Sequence, residues 1–147
     1  MPISPQKQRE LVFLLVYSDD FHPGDEAEMT QLLMHELAVT KKVMRIAHEE
    51  KVKIQEKINL IDERIAEHSK AYDFDRIPRI ERNILRLSIY ELLFSETVPP
   101  KVAIAEAIRL SRKFATPEAA TFVNAILDAI YQLQLTQGCP NDSAVSV

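Results

Sequence analysis

The chain has 147 residues, with one cysteine, two glycines, no tryptophan and a formal net charge of −4. A chain of this length folds most readily as one domain and can bury roughly 70% of its unfolded surface. The lone Cys139 excludes an intramolecular disulfide and a cysteine-bound metal. Neither a leader-like N-terminus nor an apolar run of about 18 residues occurs, so we expect a soluble cytoplasmic protein that does not bind or cross a membrane.

Charge is distributed unevenly along the chain. The segment from Arg76 to Lys113 carries eight basic and four acidic residues, so the rest of the chain is strongly acidic. Two interpretations remain open. The charges are solvated helix faces, or the protein presents a basic face to one partner and an acidic face to another.

The first predicted helix begins at Ser4-Pro5, an N-cap followed by proline at the first helical position. Leu11, Leu14, Leu15 and Ser18 recur at helical spacing and are expected to point inward.

Three further residues of this helix are candidates for contact. Lys7 and Arg9 lie near its N-terminus, where basic side chains oppose the helix dipole, which hints that a partner requires them. Tyr17 fits either the core or an exposed ring face. The following residues 22–25 are typical of a turn.

A long helical region is predicted from residue 25 or 26 to about residue 71. Its apolar stripe continues without glycine or proline, and this length exceeds that of a usual globular helix. We therefore expect a bend or short break near residues 49–54. Residues 72–75 then form a link between an N-terminal and a C-terminal half.

Three amphipathic patterns follow between Ile77 and Asp128. Pro78 starts the first, residues 97–100 separate it from the second, and Thr116-Pro117 starts the third. The prediction is one all-α domain over residues 1–136, with halves of about 1–72 and 73–136. Residues 137–147 are expected to be a disordered tail.

Sequence signals for catalysis are absent. The two glycines cannot form a phosphate-binding loop, and no nucleophile elbow or zinc-protease motif is present. His35, His48 and His68 are not spaced to share a helical turn, so we expect no metal site. We therefore predict no catalytic residues, no cofactor and a binding protein, not an enzyme.

Four segments resemble the NusB family of bacterial transcription antitermination factors. They are listed in chain order: RELVFLLVYS (9–18), ERNILRLSIYELLF (81–94), VPPKVAIAEAIRLSRKF (98–114) and FVNAILDAI (122–130). The resemblance is close over about half of the chain, and the middle helices fit only in length and pattern. It implies two small antiparallel helical bundles.

The resemblance also implies a function. Proteins of this family bind boxA RNA together with NusE, a small-subunit ribosomal protein, and help RNA polymerase to read through terminators in ribosomal RNA operons. By position, the residues implied to face RNA are Gln6, Lys7, Arg9, Tyr17, Phe122 and Asn124. Phe122 also fits the core stripe of its helix, so burial is the alternative.

The implied contacts to NusE are acidic. They fall on Asp75, Glu81 and Glu118, which can steer a basic ribosomal protein. The chain departs from the family pattern in its arginine-poor lead, SPQKQR, which lowers the RNA affinity expected of this protein alone. Ala115 and Ala125 stand where glycine is usual, and Ala115 fits only if its backbone is not left-handed.

Other functions remain open. One is a helical protein-interaction module with no RNA binding of its own. Another is the related N-terminal domain of ribosomal RNA methyltransferases, although the chain leaves no room for a catalytic domain. A homodimer is also possible, because an apolar stripe can be covered by a second copy.

Overall fold

A computed structural model describes residues 3–21 and 26–137. Within these ranges it contains only helices: seven α-helices and one short 3-10 helix. In chain order they are α1 (Pro5–Phe21), α2 (Glu26–Leu37), α3 (Lys41–Glu56), α4 (Ile58–His68), the 3-10 helix (Phe74–Arg76), α5 (Arg79–Phe94), α6 (Pro100–Phe114) and α7 (Pro117–Gln137). The all-α prediction is confirmed.

The helix starts agree with the local sequence. Ser4 Oγ accepts a hydrogen bond from the Lys7 amide at 3.2 Å, and Thr116 Oγ1 accepts one from the Ala119 amide at 3.0 Å. Each of these helices begins with a proline, whose missing N–H would be unsatisfied there in any case. Proline also opens α6, at Pro100.

A break within residues 49–54 is wrong, because α3 runs through them without interruption, and a bend there stays a prediction. The region 26–71 is interrupted at two other places. Ala38 adopts a left-handed backbone with φ 52°, and Thr40 then caps α3. The second interruption is at Lys57, whose N–H bonds back to the last turn of α3 before α4 begins. Neither place carries glycine or proline; Thr40 is a local signal for the first interruption, and no such residue marks the second.

The helices form two small antiparallel bundles, α1–α4 and α5–α7. Helices α1 and α4 join them, since α1 packs against both α3 and α5, and α4 packs more extensively against α5 and α7 than against α3. One continuous core contains residues from both bundles; its largest fully buried side chains include Leu11, Phe13, Ile54, Ile61, Ile65, Ile84, Leu85, Ile89, Leu110 and Leu127. The division of the domain at residues 72 and 73 stays a prediction.

Helix α1 is buried on more of its circumference than its spacing indicated. Leu11 and Leu15 are buried as predicted, whereas Leu14 and Ser18 are only half-buried. Phe13 and Val16 are buried as well. A helix in contact with two bundles buries a wide surface, so its pattern is less amphipathic than that of a helix with one covered face.

Two further predictions concern residues at the ends of the described ranges. Helix α7 continues to Gln137, so the first residue of the predicted tail 137–147 is helical, and Thr136 Oγ1 donates to the Leu133 carbonyl at 2.9 Å. The predicted turn at 22–25 and residues 138–147 of the predicted tail, with Cys139, lie outside the described residues. Within the described ranges, no helix is both long and apolar enough to cross a membrane.

Ala115 ends α6 with φ −129° and ψ −119°. The negative φ explains why alanine is tolerated at this helix end, because only a left-handed backbone would require glycine. Ala125 lies within α7, where alanine is a strong helix former.

Candidate nucleic-acid and partner interface

The first turn of α1 is exposed. The side chains of Gln6 and Lys7 both face solvent, and the Gln6 backbone carbonyl accepts a hydrogen bond from Arg109 Nη2 at 3.3 Å. This contact ties the start of α1 to α6, while the Lys7 ammonium stays accessible. The pair can offer a donor and a positive charge to a phosphate group.

Arg9, two residues further on, lies between two carboxylates. Its side chain is 12% exposed, and Nε and Nη2 bond to the two oxygens of Glu91 at 3.0 Å each. Nη1 donates to Glu106 at 2.7 Å. Burial acts to lower the pKa of the guanidinium, but these carboxylates raise it overall. An RNA phosphate would have to compete with two anions, and the RNA contact of Arg9 stays a prediction.

Tyr17 belongs to a row of aromatic rings along α1. Its ring centroid is 6.0 Å from that of Phe13 on one side and 6.0 Å from that of Phe21 on the other, with interplanar angles of 26° and 22°. Tyr17 is half-buried against the core, whereas Phe21 is 46% exposed and lies under the guanidinium of Arg79 at 5.4 Å. The Tyr17 ring therefore packs against the core and is also partly accessible to solvent.

The two predicted residues of α7 differ in their surroundings. Asn124 is exposed, while Phe122 is half-buried and meets Tyr72 edge to face with ring centroids 5.2 Å apart. Tyr72 is 44% exposed and lies in the link between the halves. The structure therefore brings Phe122 to the segment that carries Asp75, which the sequence did not reveal.

The three predicted partner contacts lie at the starts of helices. Asp75 is exposed in the 3-10 helix, and Glu118 is exposed in the first turn of α7. Glu81, in the first turn of α5, is half-buried, and burial raises the pKa of its carboxyl. Acidic side chains at these positions are favoured by the positive end of the helix dipole. Their partner role stays a prediction.

The arginines of α5 form ion pairs with acidic residues of the N-terminal half that the sequence did not predict. Arg82 Nη2 donates to Asp20 at 2.9 Å, and Arg86 forms two hydrogen bonds of 2.9 Å with Asp62. Arg86 also lies 3.4 Å from Asp20. Burial acts to raise the pKa of Asp20, but the hydrogen bonds from Arg82 and Asn83 and the nearby positive charges lower it overall.

A second cluster joins α6 to α1. Arg109 Nη1 donates to Glu10 at 2.6 Å, and Lys113 donates to the other oxygen of Glu10 at 2.7 Å. Arg79 Nε also lies 3.9 Å from Asp20, so five of the eight basic residues between Arg76 and Lys113 pair with acids of the N-terminal half. The sequence left two interpretations open, solvated helix faces or a basic face presented to a partner. Neither describes these paired residues, because their charges are used within the fold.

No group of three or more histidine, cysteine, aspartate or glutamate side chains is arranged to hold a metal ion in the described part of the chain. The candidate surface therefore consists of exposed polar groups and partly exposed rings. Its predicted residues lie at the start of α1, at Tyr17, in the link near Tyr72 and at the starts of α5 and α7. Such a surface can hold a backbone by charge and stack unpaired bases on its rings.

Comparison with known sequences gives one family. The family model described as NusB family matches residues 6–132. A protein called transcription antitermination protein NusB from Chlamydia pneumoniae is 34% identical over 142 residues, which are 97% of this chain and 86% of that protein. A protein of the same name from Sulfurimonas denitrificans is 36% identical over 122 residues, 83% and 92% of the two chains.

Solved structures give the same result. The NusB structure from T. maritima has a TM-score of 0.75 and 30% identity, covering 90% of this chain and 93% of its own. A structure described as antitermination factors NusB and NusE in complex with dsRNA has a TM-score of 0.74 and 29% identity, covering 87% of this chain and 96% of the matched chain.

Proposed function

Because the chain belongs to the NusB family of transcription antitermination proteins, we propose that it binds boxA-type RNA together with NusE in the cytoplasm. In this proposal the complex joins RNA polymerase and promotes read-through and ribosomal RNA transcription. The likeness to the NusB–NusE–dsRNA complex over most of both chains is the observation that carries the proposal.

RNA is held by two kinds of group. The exposed Gln6, Lys7 and Asn124 contact the backbone or base edges, because they are accessible and polar. The partly exposed rings of Tyr17 and Phe122 take unpaired bases by stacking. Arg9 contributes by fixing the first turns of α1 against α5 and α6 through its two carboxylate partners.

NusE is contacted by the acidic residues at the helix starts. Asp75 and Glu118 are exposed and can pair with a basic protein, and the half-buried Glu81 lies in the first turn of α5. Such pairs mainly steer and orient association, while affinity comes from the area that they surround. Lys7 is the accessible cation of the N-terminal segment 4–9, where the family usually has arginines. RNA affinity therefore depends strongly on NusE.

One observation favours a second function. The guanidinium of Arg9 is bound by Glu91 and Glu106, which removes one cation from the RNA side. A helical module that binds a protein partner without RNA is consistent with this arrangement. It predicts an interaction with NusE that does not change when boxA RNA is added.

A titration separates the two functions. Fluorescently labelled boxA RNA is titrated with the protein alone, with NusE alone and with both, at several salt concentrations. The proposal predicts weak binding by the protein alone and much tighter, salt-sensitive binding by the pair. A scrambled RNA is the control. No gain over NusE alone would contradict the RNA function, while a complex of the two proteins without RNA would support the module.

A further inference from the structure

A cavity of about 560 Å³ lies between the first turns of α1, the middle of α3 and the C-terminal part of α5. Pro5, Gln8 and Val12 line it from one face of α1, and helical spacing puts Tyr17 on another face. The far wall is at the end of α5, roughly 20 Å along the helix from Glu81. The cavity is therefore separate from Tyr17 and Glu81, although it adjoins the start of α1 and Arg9 is part of its lining.

The walls are mainly apolar. Tyr90 and Phe94 present rings whose centroids are 5.9 Å apart, and Val98 continues this wall beyond the end of α5. Across the opening, Ile46 of α3 is 42% exposed, although it is a large apolar residue. A cavity of this size with exposed apolar walls is typical of a site that binds a side chain or small ligand.

One polar group in the wall is unsatisfied. Gln8 Nε2 is buried and has no hydrogen-bond partner among the described residues. Leaving a buried donor unpaired is unfavourable, so a rotation of the Gln8 amide that brings Nε2 to a carbonyl oxygen bound in the cavity would be favourable. The neighbouring Arg9 and Glu91 already satisfy each other and do not compete for that acceptor.

The rim of the cavity is acidic. Glu96 is exposed beside the aromatic wall, and Lys53 on the opposite side is 3.6 Å from Glu50. A second groove on α3 shares Lys53, and its other charged residues are Arg45, Glu49 and Glu56. That second groove has two basic and two acidic residues and therefore no net charge. In the cavity, Arg9 pairs with Glu91 and Lys53 with Glu50, so the exposed Glu96 leaves one negative charge in excess. This charge repels a phosphate backbone and attracts a basic group.

We propose that this cavity binds a short segment of a partner protein in which an apolar residue is followed by a basic one. The apolar side chain lies between Phe94 and Ile46, a backbone carbonyl accepts the hydrogen bond from Gln8, and the basic side chain pairs with Glu96. An apolar anchor surrounded by polar contacts is the usual arrangement of a binding hot spot. The site does not depend on the proposed RNA function.

Two capped dipeptides test the chemistry. N-acetyl-leucyl-arginine amide and N-acetyl-leucyl-glutamate amide are titrated to millimolar concentration into the full ¹⁵N-labelled chain, and amide resonances are followed. We expect shifts at Gln8, Tyr90 and Val98, with roughly threefold tighter binding of the arginine peptide. Shifts confined to other residues, equal binding of the two peptides, or stronger shifts of the same amides by uridine monophosphate would overturn the proposal.

Variants test the contacts. Ile46→Glu should abolish the shifts, Glu96→Lys should reverse the preference between the peptides, and Gln8→Met should weaken binding roughly fivefold without lowering Tm. Leu32→Glu is the matched control, because Leu32 is similarly exposed on α2 and does not line this cavity. Wild-type peptide binding by folded Ile46→Glu would overturn the proposal, and so would loss of RNA binding in that variant.

Discussion

Arg9 in α1 and Glu91 in α5 are 82 positions apart in the chain and form a two-pronged ion pair, with Nε and Nη2 each 3.0 Å from a different carboxylate oxygen. Both side chains are nearly buried, and Glu106 of α6 completes the pair at 2.7 Å. The contact joins the N-terminal bundle to two helices of the C-terminal bundle.

Arg9→Met should destabilise the protein by about 3 kcal/mol, because it leaves the two carboxylates without their shared cation. The measurement is urea unfolding. The midpoint concentration should fall, while the slope of the free energy of unfolding against urea concentration stays constant. Lys7→Met, at an exposed neighbouring position, is the control and should change stability little. An Arg9→Met protein of wild-type stability that has lost RNA binding would instead assign Arg9 to the RNA surface.

Asp20 should make stability depend on pH below about 4. A carboxyl whose folded pKa lies below its unfolded value of about 3.9 adds stability above that value and loses it as pH falls through the folded pKa. The hydrogen bonds from Arg82 and Asn83 outweigh burial and lower the pKa of Asp20 in this way. Unfolding by urea at a series of pH values should therefore show acid destabilisation.

Asp20→Asn should be less stable at pH 7 and should lose part of this acid dependence. The remainder comes from Glu10 and Glu106, where burial is likewise outweighed by ion pairs that lower the pKa. Asp128→Asn, at an exposed site on α7, is the control. Parallel pH profiles for Asp20→Asn and the wild type would show that Asp20 is not responsible.

Tyr17 should contribute to both stability and RNA binding. Tyr17→Ala should cost about 2 kcal/mol, because the ring is half-buried between Phe13 and Phe21. Tyr17→Leu retains apolar volume and should cost less than about 1.5 kcal/mol. If a base stacks on Tyr17, Tyr17→Leu should still weaken boxA binding with NusE roughly tenfold. Tyr131→Leu is a control on α7, and equal RNA affinities for the two variants would exclude stacking.

Lys7 should contribute one phosphate contact. In that case Lys7→Gln lowers the slope of log affinity against log salt by about 0.7, the value for one contact with a single strand. The affinity should fall similarly for boxA and for a scrambled RNA, since phosphate contacts carry no sequence information. Lys101→Gln, exposed at the start of α6, is the control. An unchanged slope for Lys7→Gln would remove Lys7 from the interface.

Ala38 should be a site where glycine stabilises the protein. Its φ of 52° is unfavourable for a residue with a Cβ atom. Ala38→Gly should therefore raise the free energy of unfolding by up to about 1 kcal/mol. Ala66→Gly, at an exposed position within α4, should lower it by roughly 0.5–1 kcal/mol. Destabilisation by both changes would contradict the left-handed backbone at Ala38.

The sequence by itself determined the features that depend on neighbouring residues. Caps and prolines fixed where α1, α6 and α7 begin, because they act within one helical turn. Helical periodicity determined the all-α class, and the ordered motifs identified the family. The interruption at Ala38 has one local signal, the N-cap Thr40, whereas no capping residue, glycine or proline marks the interruption at Lys57.

Only the tertiary structure decided how the charges are used. The sequence displayed a basic C-terminal half and an acidic remainder, but it could not show that Arg82, Arg86 and Arg109 bond to acids of the other half. Ion pairing acts over a few ångströms in space, whatever the separation along the chain. For the same reason Arg9 resembled an accessible cation in the sequence and lies between two carboxylates in the fold.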